Sequence, residues 1–339
     1  MGESEPFAAA DGALAYGLNW LDWLRETNEP LTIAGLKFLL PRDAASLTAH
    51  RAAHLDRSAV QIEIIEWPGN LEQRSTIDLK DYGNIETRLT MRRSPELWME
   101  RHREFLESAF GAALGCLDLI ADARGSALSV RVRGLEIARV EGEIAPRILW
   151  GIEGNRRSYR ADHAADLQEF VRNALSLRSP QSAQRDHELY RLQPERWLES
   201  LLVHSVSLLD PALRDDYVYP QVPAFSGTER GVVDILSVLS DRRLAVIELK
   251  LHEEITLPLQ GLDYWMRVKW LNDRKQFQEF GYFRGIELSP APPALYLVSP
   301  AFRFHSTSQR IIRYLNSSVP VIQVGLNQQW KKGVKVLFR

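Results

Sequence analysis

The sequence predicts an α/β C-terminal domain with a mixed sheet flanked by helices, preceded by an N-terminal α+β domain. Three observations predict it. Residues 193–338 read as a helix, three strands, a second helix, then further strands with one more helix. The first half mixes β-branched runs with amphipathic stretches. Between them the polar segment SLRSPQSAQRDHE, 176–188, contains Pro180 and sets domains at 1–180 and 188–339.

In the first half, AVQIEIIEW (59–67) and ALSVRVRGLEIARVEG (127–142) read as strands from their β-branched content and partial alternation. SPELWMERHREFLESAFGAAL (94–114) reads as a helix with Ser94 as cap and Pro95 at its first position, and ADLQEFVRNALSL (165–177) as another. DLKDYGNIETR (78–88) reads as a polar turn around Gly83.

In the second half, QPERWLESLLVHSVSLLD (193–210) sets Leu198, Leu201, Leu202, Ser205 and Leu209 on one helical face. YVYPQVPAF (217–225), GVVDILSVL (231–239) and RLAVIELKL (243–251) are the three strands. TLPLQGLDYWMRVKWLND (256–273) is helical after Pro258. ALYLVSP (294–300), VPVIQVGL (319–326) and VKVLF (334–338) are strands, with a helix at SQRIIRYLN (308–316).

Composition bounds the function. The chain has 339 residues, 45% hydrophobic and 25% charged, as ordinary globular proteins do. With Lys+Arg 42 and Asp+Glu 44 the formal net charge is -2, so nucleic acid would be met by a local patch. The single Cys116, in GAALGCLDLI, excludes an internal disulfide and cysteine-rich zinc sites; its apolar setting predicts a core thiol. Low cysteine usage fits a reducing cytoplasm. The N-terminal MGESEPFAAADGALAYG has early acids and no basic flank, so no signal peptide is expected, and Pro6 breaks the myristoylation pattern. No membrane span is expected either. The eight histidines show no zinc-ligand spacing. No Gly-x-x-x-x-Gly-Lys loop is present to cradle phosphates.

The chemistry sits on two neighbouring strands. If the hairpin turns on Asp241, then Asp234 and Glu248 are equidistant from it and face each other, with Cβ atoms roughly 4.5–5.5 Å apart. Lys250 shares the face of Glu248 by the period of two. Carboxylates this close repel, so either a cation sits between them or one takes a proton. Oxygen-only ligation suits Mg²⁺ or Mn²⁺, which keep several waters and accept one or two carboxylates. Such an ion with an adjacent lysine is machinery for phosphodiester hydrolysis. A solvated ion pair across a sheet is the alternative for these three residues alone.

Asp234 in VVDIL, Glu248-Leu249-Lys250 in VIELK and the Gln260-to-Tyr264 spacing in QGLDY together resemble the PD-(D/E)XK phosphodiesterase superfamily. The Gln-x-x-x-Tyr element is similar to the branch that holds recombination exonucleases, Cas4-like nucleases and the archaeal–actinobacterial mismatch endonucleases. The resemblance covers roughly residues 190–300, and Val233 stands where the family name has proline. It implies a restriction-endonuclease-like core and a Mg²⁺- or Mn²⁺-dependent nuclease acting on nucleic acid, DNA in the first place. It gives catalytic roles to Asp234, Glu248, Lys250, Gln260 and Tyr264. It also implies an acid on the preceding helix, Glu195 or Glu199, of which Glu199 is nearer the next strand and joins Asp234 and Glu248 as metal ligand. A non-catalytic nucleic-acid-binding or scaffold protein that keeps the fold is the rival reading.

Arg267, Lys269, Arg274 and Lys275, with Lys331, Lys332 and Lys335, are either phosphate contacts or solvated charge. The N-terminal domain is left with recognition or with dimerisation as a homodimer. Residues 185–339 are expected to be soluble alone, and 176–188 to be open to protease.

Overall fold

Leu14, Leu18 and Leu21 recur at helical spacing and are fully buried along one side of α1 (Glu5–Thr27). They cover β1 (Gly35–Leu40), α2 (Arg42–Ala52) and β2 (Gln61–Glu66). β1 and β2 pair in parallel, Gly35 with Gln61, and β3 (Ser75–Thr76) adds an antiparallel edge. The computed structural model describes residues 5–27, 32–67, 74–80, 87–92, 94–122, 126–226 and 229–339. The expected polar turn around Gly83 lies outside them.

After β4 (Thr87–Arg88) comes a unit with its own core. α3 (Pro95–Phe110) and α4 (Ala164–Leu177) pack on an antiparallel meander of β5 (Asp118–Ala121), β6 (Ala127–Val132), β7 (Leu135–Glu141), β8 (Arg147–Trp150) and β9 (Arg157–Ser158). The run expected as one strand over 127–142 is a hairpin. Arg133 (φ 44) and Gly134 (φ 78) both take left-handed backbone, the requirement of a two-residue turn matched to strand twist. Cys116 is exposed, not a core thiol, because the 3₁₀ turn Gly111–Cys116 spends its inward position on Leu114.

The remainder is α5 (Glu188–Arg191), α6 (Pro194–Val203), β10 (Tyr219–Ser226), β11 (Glu229–Val238), β12 (Leu244–Leu249), α7 (Leu257–Asp273), α8 (Gln276–Glu279), β13 (Ala294–Pro300), α9 (Ser308–Tyr314), β14 (Val321–Leu326) and β15 (Val336–Phe338). Their strands and β4 form a mixed sheet in the order β15-β14-β13-β12-β11-β10-β4. β10, β11 and β12 are successively antiparallel, and β12, β13 and β14 are parallel. The chain is therefore a mixed α/β protein of several sheets flanked by helices. The helix read over 193–210 ends at Val203; Val206–Leu208 continue as a 3₁₀ turn.

The large sheet is buried on both faces. One face packs with α6 and Trp330, through Trp197, Leu202, Ile235, Ile247 and Tyr296. The other packs with α7 and α9, and also with Leu14, Leu18, Leu21 and Ile64 from the first 66 residues. The hydrophobic cores thus do not divide at 176–188. Residues 14–64 share a core with the C-terminal sheet, while 98–174 keep a separate one. Nor is the intervening segment loose throughout. Arg178 is fully buried and donates to Leu189 O (2.6 Å), Leu192 O (2.7 Å) and Arg133 O (2.8 Å).

One buried ion pair clamps α2 to α7. Arg51 donates from Nε to Asp263 Oδ1 (2.9 Å) and from Nη2 to Oδ2 (2.7 Å), with side chains 6% and 13% exposed. A fork of this kind is strong when intact, and the surviving charge is costly when one partner goes. Arg51→Ala should lower unfolding free energy by about 3–5 kcal/mol in denaturant titration. A loss no larger than that of an exposed pair would show that Asp263 finds other compensation.

Candidate active site

The ladder between β11 and β12 pairs Val238 with Leu244 and Ile235 with Ile247, a turn centred on residue 241. Continued by one residue, it sets Asp234 opposite Glu248. There the regular ladder stops. The amide of Leu249 donates to Asp234 Oδ2 (3.0 Å), and that of Lys250 to Val298 O on β13 (3.0 Å). On the other side, β10 pairs Pro220 with Ile235 and Val222 with Val233, so Gln221 stands opposite Asp234. Gln221 has φ 55. The alternation slips at this point: Tyr219 and Val222 both face the larger core, as do Leu236 and Val233. A distortion shared by two strands is what turns Asp234 out of the ladder.

Glu248 is 2% exposed, and its Oε2 has no hydrogen-bond partner among the described residues. Its Oε1 is 3.9 Å from Lys250 Nζ. Burial first, then the charge of Asp234, holds the Glu248 carboxyl well above the ordinary carboxylate range, against the pull of Lys250. Asp234 is raised by burial too, opposed by its hydrogen bond from Leu249 and by Arg196 and Lys250. A largely buried carboxylate pair with an orphaned oxygen is an incomplete electrostatic arrangement, which a proton or a cation would complete.

The helix acids divide the work differently from expectation. Glu199 is buried, and its Oε2 accepts from Arg196 Nη1 and from Gln221 Nε2 (2.6 Å). Burial pushes Glu199 up to about 7 despite Arg196. Glu195 accepts from Leu251 N (3.2 Å), one residue beyond Lys250, and its charge acts on both Asp234 and Glu248. Among the described residues no group of three or more His, Cys, Asp or Glu side chains is set to hold a metal ion. Asp234 and Glu248 remain as a pair.

α7 lies on the larger-core face of the sheet, where Gly261 lets it approach β13; a Cβ there would meet Leu297 Cδ2 at 2.7 Å. This brings Gln260 and Tyr264 beside the acids. The two side chains are hydrogen-bonded, and burial followed by the Glu248 charge raises the Tyr264 phenol above its ordinary range.

The basic residues after Tyr264 are largely engaged within the protein. Arg267 is buried, donates to Ala224 O (3.1 Å) and lies over the Tyr264 ring. Lys269 pairs with Asp273 (2.6 Å), and Arg274 stacks on Trp270 at 3.8 Å. Lys331 sits against Tyr190 and Trp197 and donates to Tyr190 O (3.0 Å), burial lowering it to about 8. Lys332 and Lys335 are exposed.

Two residues at the site were not singled out by sequence. Arg196 places Nη1 against Glu199 and 3.5 Å from Asp234 Oδ1. Its position between Glu195 and Glu199 was the available signal. Gln221 had none, since its role depends on left-handed backbone. Glu199 and Gln221 also line a cavity of about 760 Å³ between α6, β10 and the β5–β6 side of the middle unit.

No helix among the described residues is long and apolar enough to cross a membrane. No family model and no curated protein matches the chain. Among solved structures, the EndoMS–dsDNA2 complex aligns with a TM-score of 0.27 at 13% identity, over 72% of this chain and 98% of that one.

Proposed function

We propose that this chain is a metal-dependent nuclease that hydrolyses phosphodiester bonds in DNA. The observation that supports it most is the buried pair Asp234 and Glu248 at the point where two strands part, with an orphaned Glu248 oxygen and Lys250 alongside. Two carboxylates, with no group of three such ligands among the described residues, fit Mg²⁺ or Mn²⁺, hard ions that accept few protein oxygens and keep waters. Asp234 and Glu248 would hold the ion. The chemistry such an ion supplies when bound is polarisation of a phosphoryl oxygen and a more acidic water. Lys250 orients the attacking water or offsets charge developing on the phosphate. Glu195 fixes the backbone just past Lys250, and the Gln260–Tyr264 pair walls the acids on the α7 side. The choice of DNA rests on the sequence resemblance. The parts N-terminal to α6 are assigned substrate recognition.

The test is a cleavage screen with Mg²⁺ or Mn²⁺ over duplex, single-stranded, branched and mismatched DNA, and RNA. Activity should vanish in chelator and return with the ion. Lys250→Ala should lose roughly 100-fold or more in rate while keeping Mn²⁺ binding, because the lysine is not a ligand. Cleavage in excess chelator by metal-free protein would sink the proposal. Wild-type turnover by Lys250→Ala would remove the lysine from it.

A further inference from the structure

Of the four carboxylate oxygens on Asp234 and Glu248, two are committed. Asp234 Oδ2 accepts from Leu249 N, and Glu248 Oε1 faces Lys250. Glu248 Oε2 has no partner. The fourth, Asp234 Oδ1, is 3.5 Å from Arg196 Nη1. The same nitrogen donates to Glu199 Oε2. One N–H group thus serves two carboxylates, one in the site and one beside it. We propose that Arg196 is the resident counter-ion of Asp234, and that a divalent cation and Arg196 compete for this carboxylate.

The inference rests on the metal-dependent reading above and adds a residue to it. A dication on Asp234 Oδ1 and a guanidinium 3.5 Å from that oxygen repel one another. Arg196 must withdraw for the ion to enter. Glu199 provides the place to withdraw to. It is three residues along the same helix, buried, and its Oε2 accepts from Gln221 as well as from Arg196. The helix itself cannot give way. Gly134 at the tip of the β6–β7 hairpin lies against Arg196, where a Cβ would meet the Arg196 carbonyl oxygen at 1.9 Å. The exchange is therefore confined to the side chain, which is 34% exposed and has room to swing. In both states each carboxylate keeps a cation, so neither leaves a bare buried charge.

Two substitutions should act in opposite directions on Mn²⁺ affinity, measured on the full chain without nucleic acid by the paramagnetic resonance of free Mn²⁺. Arg196→Gln removes the competitor and should tighten binding by roughly twofold to fivefold, the scale of a partly exposed ion pair. Glu199→Gln removes the place of withdrawal, leaves Arg196 to Asp234 alone, and should weaken binding by a similar factor. A purely structural Arg196 would make both variants weaker. Equal or weaker binding by Arg196→Gln overturns the proposal while a wild-type site that Asp234→Asn abolishes keeps the metal reading. Should Arg196→Gln not fold, unchanged or tighter binding by Glu199→Gln overturns it. A wild-type chain with no Mn²⁺ site dependent on Asp234 overturns both.

Discussion

Glu248→Gln should make the metal-free protein more stable while removing the cleavage activity proposed above. The carboxyls of Glu248, Asp234 and Glu199 are all raised above their ordinary values, by burial in each case. A raised carboxyl binds its proton more tightly in the folded chain than in the unfolded one. Stability from this source is complete below the unfolded value and falls as pH rises through the folded one. For Glu199 that window runs from 4.5 to about 7. At pH 8 all of the penalty is present for Glu199, and Glu248, raised well above 4.5, adds to it. An amide at 248 keeps the shape and drops the charge, which should give about 1–3 kcal/mol in denaturant titration with chelator at pH 8. The gain should shrink toward pH 4. Activity should fall by roughly 100-fold or more. Added Mn²⁺ should raise the melting temperature of wild type but not of the variant. A variant less stable than wild type in chelator would show that Glu248 is well compensated as a carboxylate and needs no ion.

Residues 185–339 expressed alone should aggregate, contrary to what composition suggests. Leu14, Leu18, Leu21 and Ile64 are fully buried in the core they share with α7, α9 and one face of the large sheet, and α1 packs directly on α9. At about 1.5–3 kcal/mol for each such side chain, removing these four costs upwards of about 6 kcal/mol, comparable with a domain's whole stability of about 5–15 kcal/mol. Asp263 would also lose Arg51. Soluble expression with a cooperative thermal transition would refute this. A chain that keeps residues 1–92 and lacks only the middle unit is the better route to a minimal site.

The strands of the large sheet were legible because strands buried on both faces write themselves as uninterrupted apolar runs. ALYLVSP is β13 to the residue, and equal distance from Asp241 gave the β11–β12 register. What escaped depends on backbone that deviates from regularity or on packing between distant segments. Gln221 and Arg133 take left-handed backbone with side chains that do not announce it. Arg267 reads as surface charge on a helix, yet it reaches Ala224 O beneath the sheet edge. Glu195 and Glu199 sit one turn apart, and only the positions of Leu251, Arg196 and Gln221 separate their roles. The shared core of residues 14–64 is a long-range contact that no local pattern records.

Arg178 makes the junction between the middle unit and the large sheet a weld. Its guanidinium joins the β6–β7 hairpin, through Arg133 O, to the residues entering α6, through Leu189 O and Leu192 O, and lies 4.7 Å over Trp197 on α6 itself. Arg133 returns the connection by donating to Arg178 O (2.7 Å). A load applied to the hairpin has no slack to take up before it reaches the helix that bears Glu195, Arg196 and Glu199. On the proposed function, a displacement of the middle unit would reach the helix beside Asp234, so substrate contact and cation occupancy would share one lever arm.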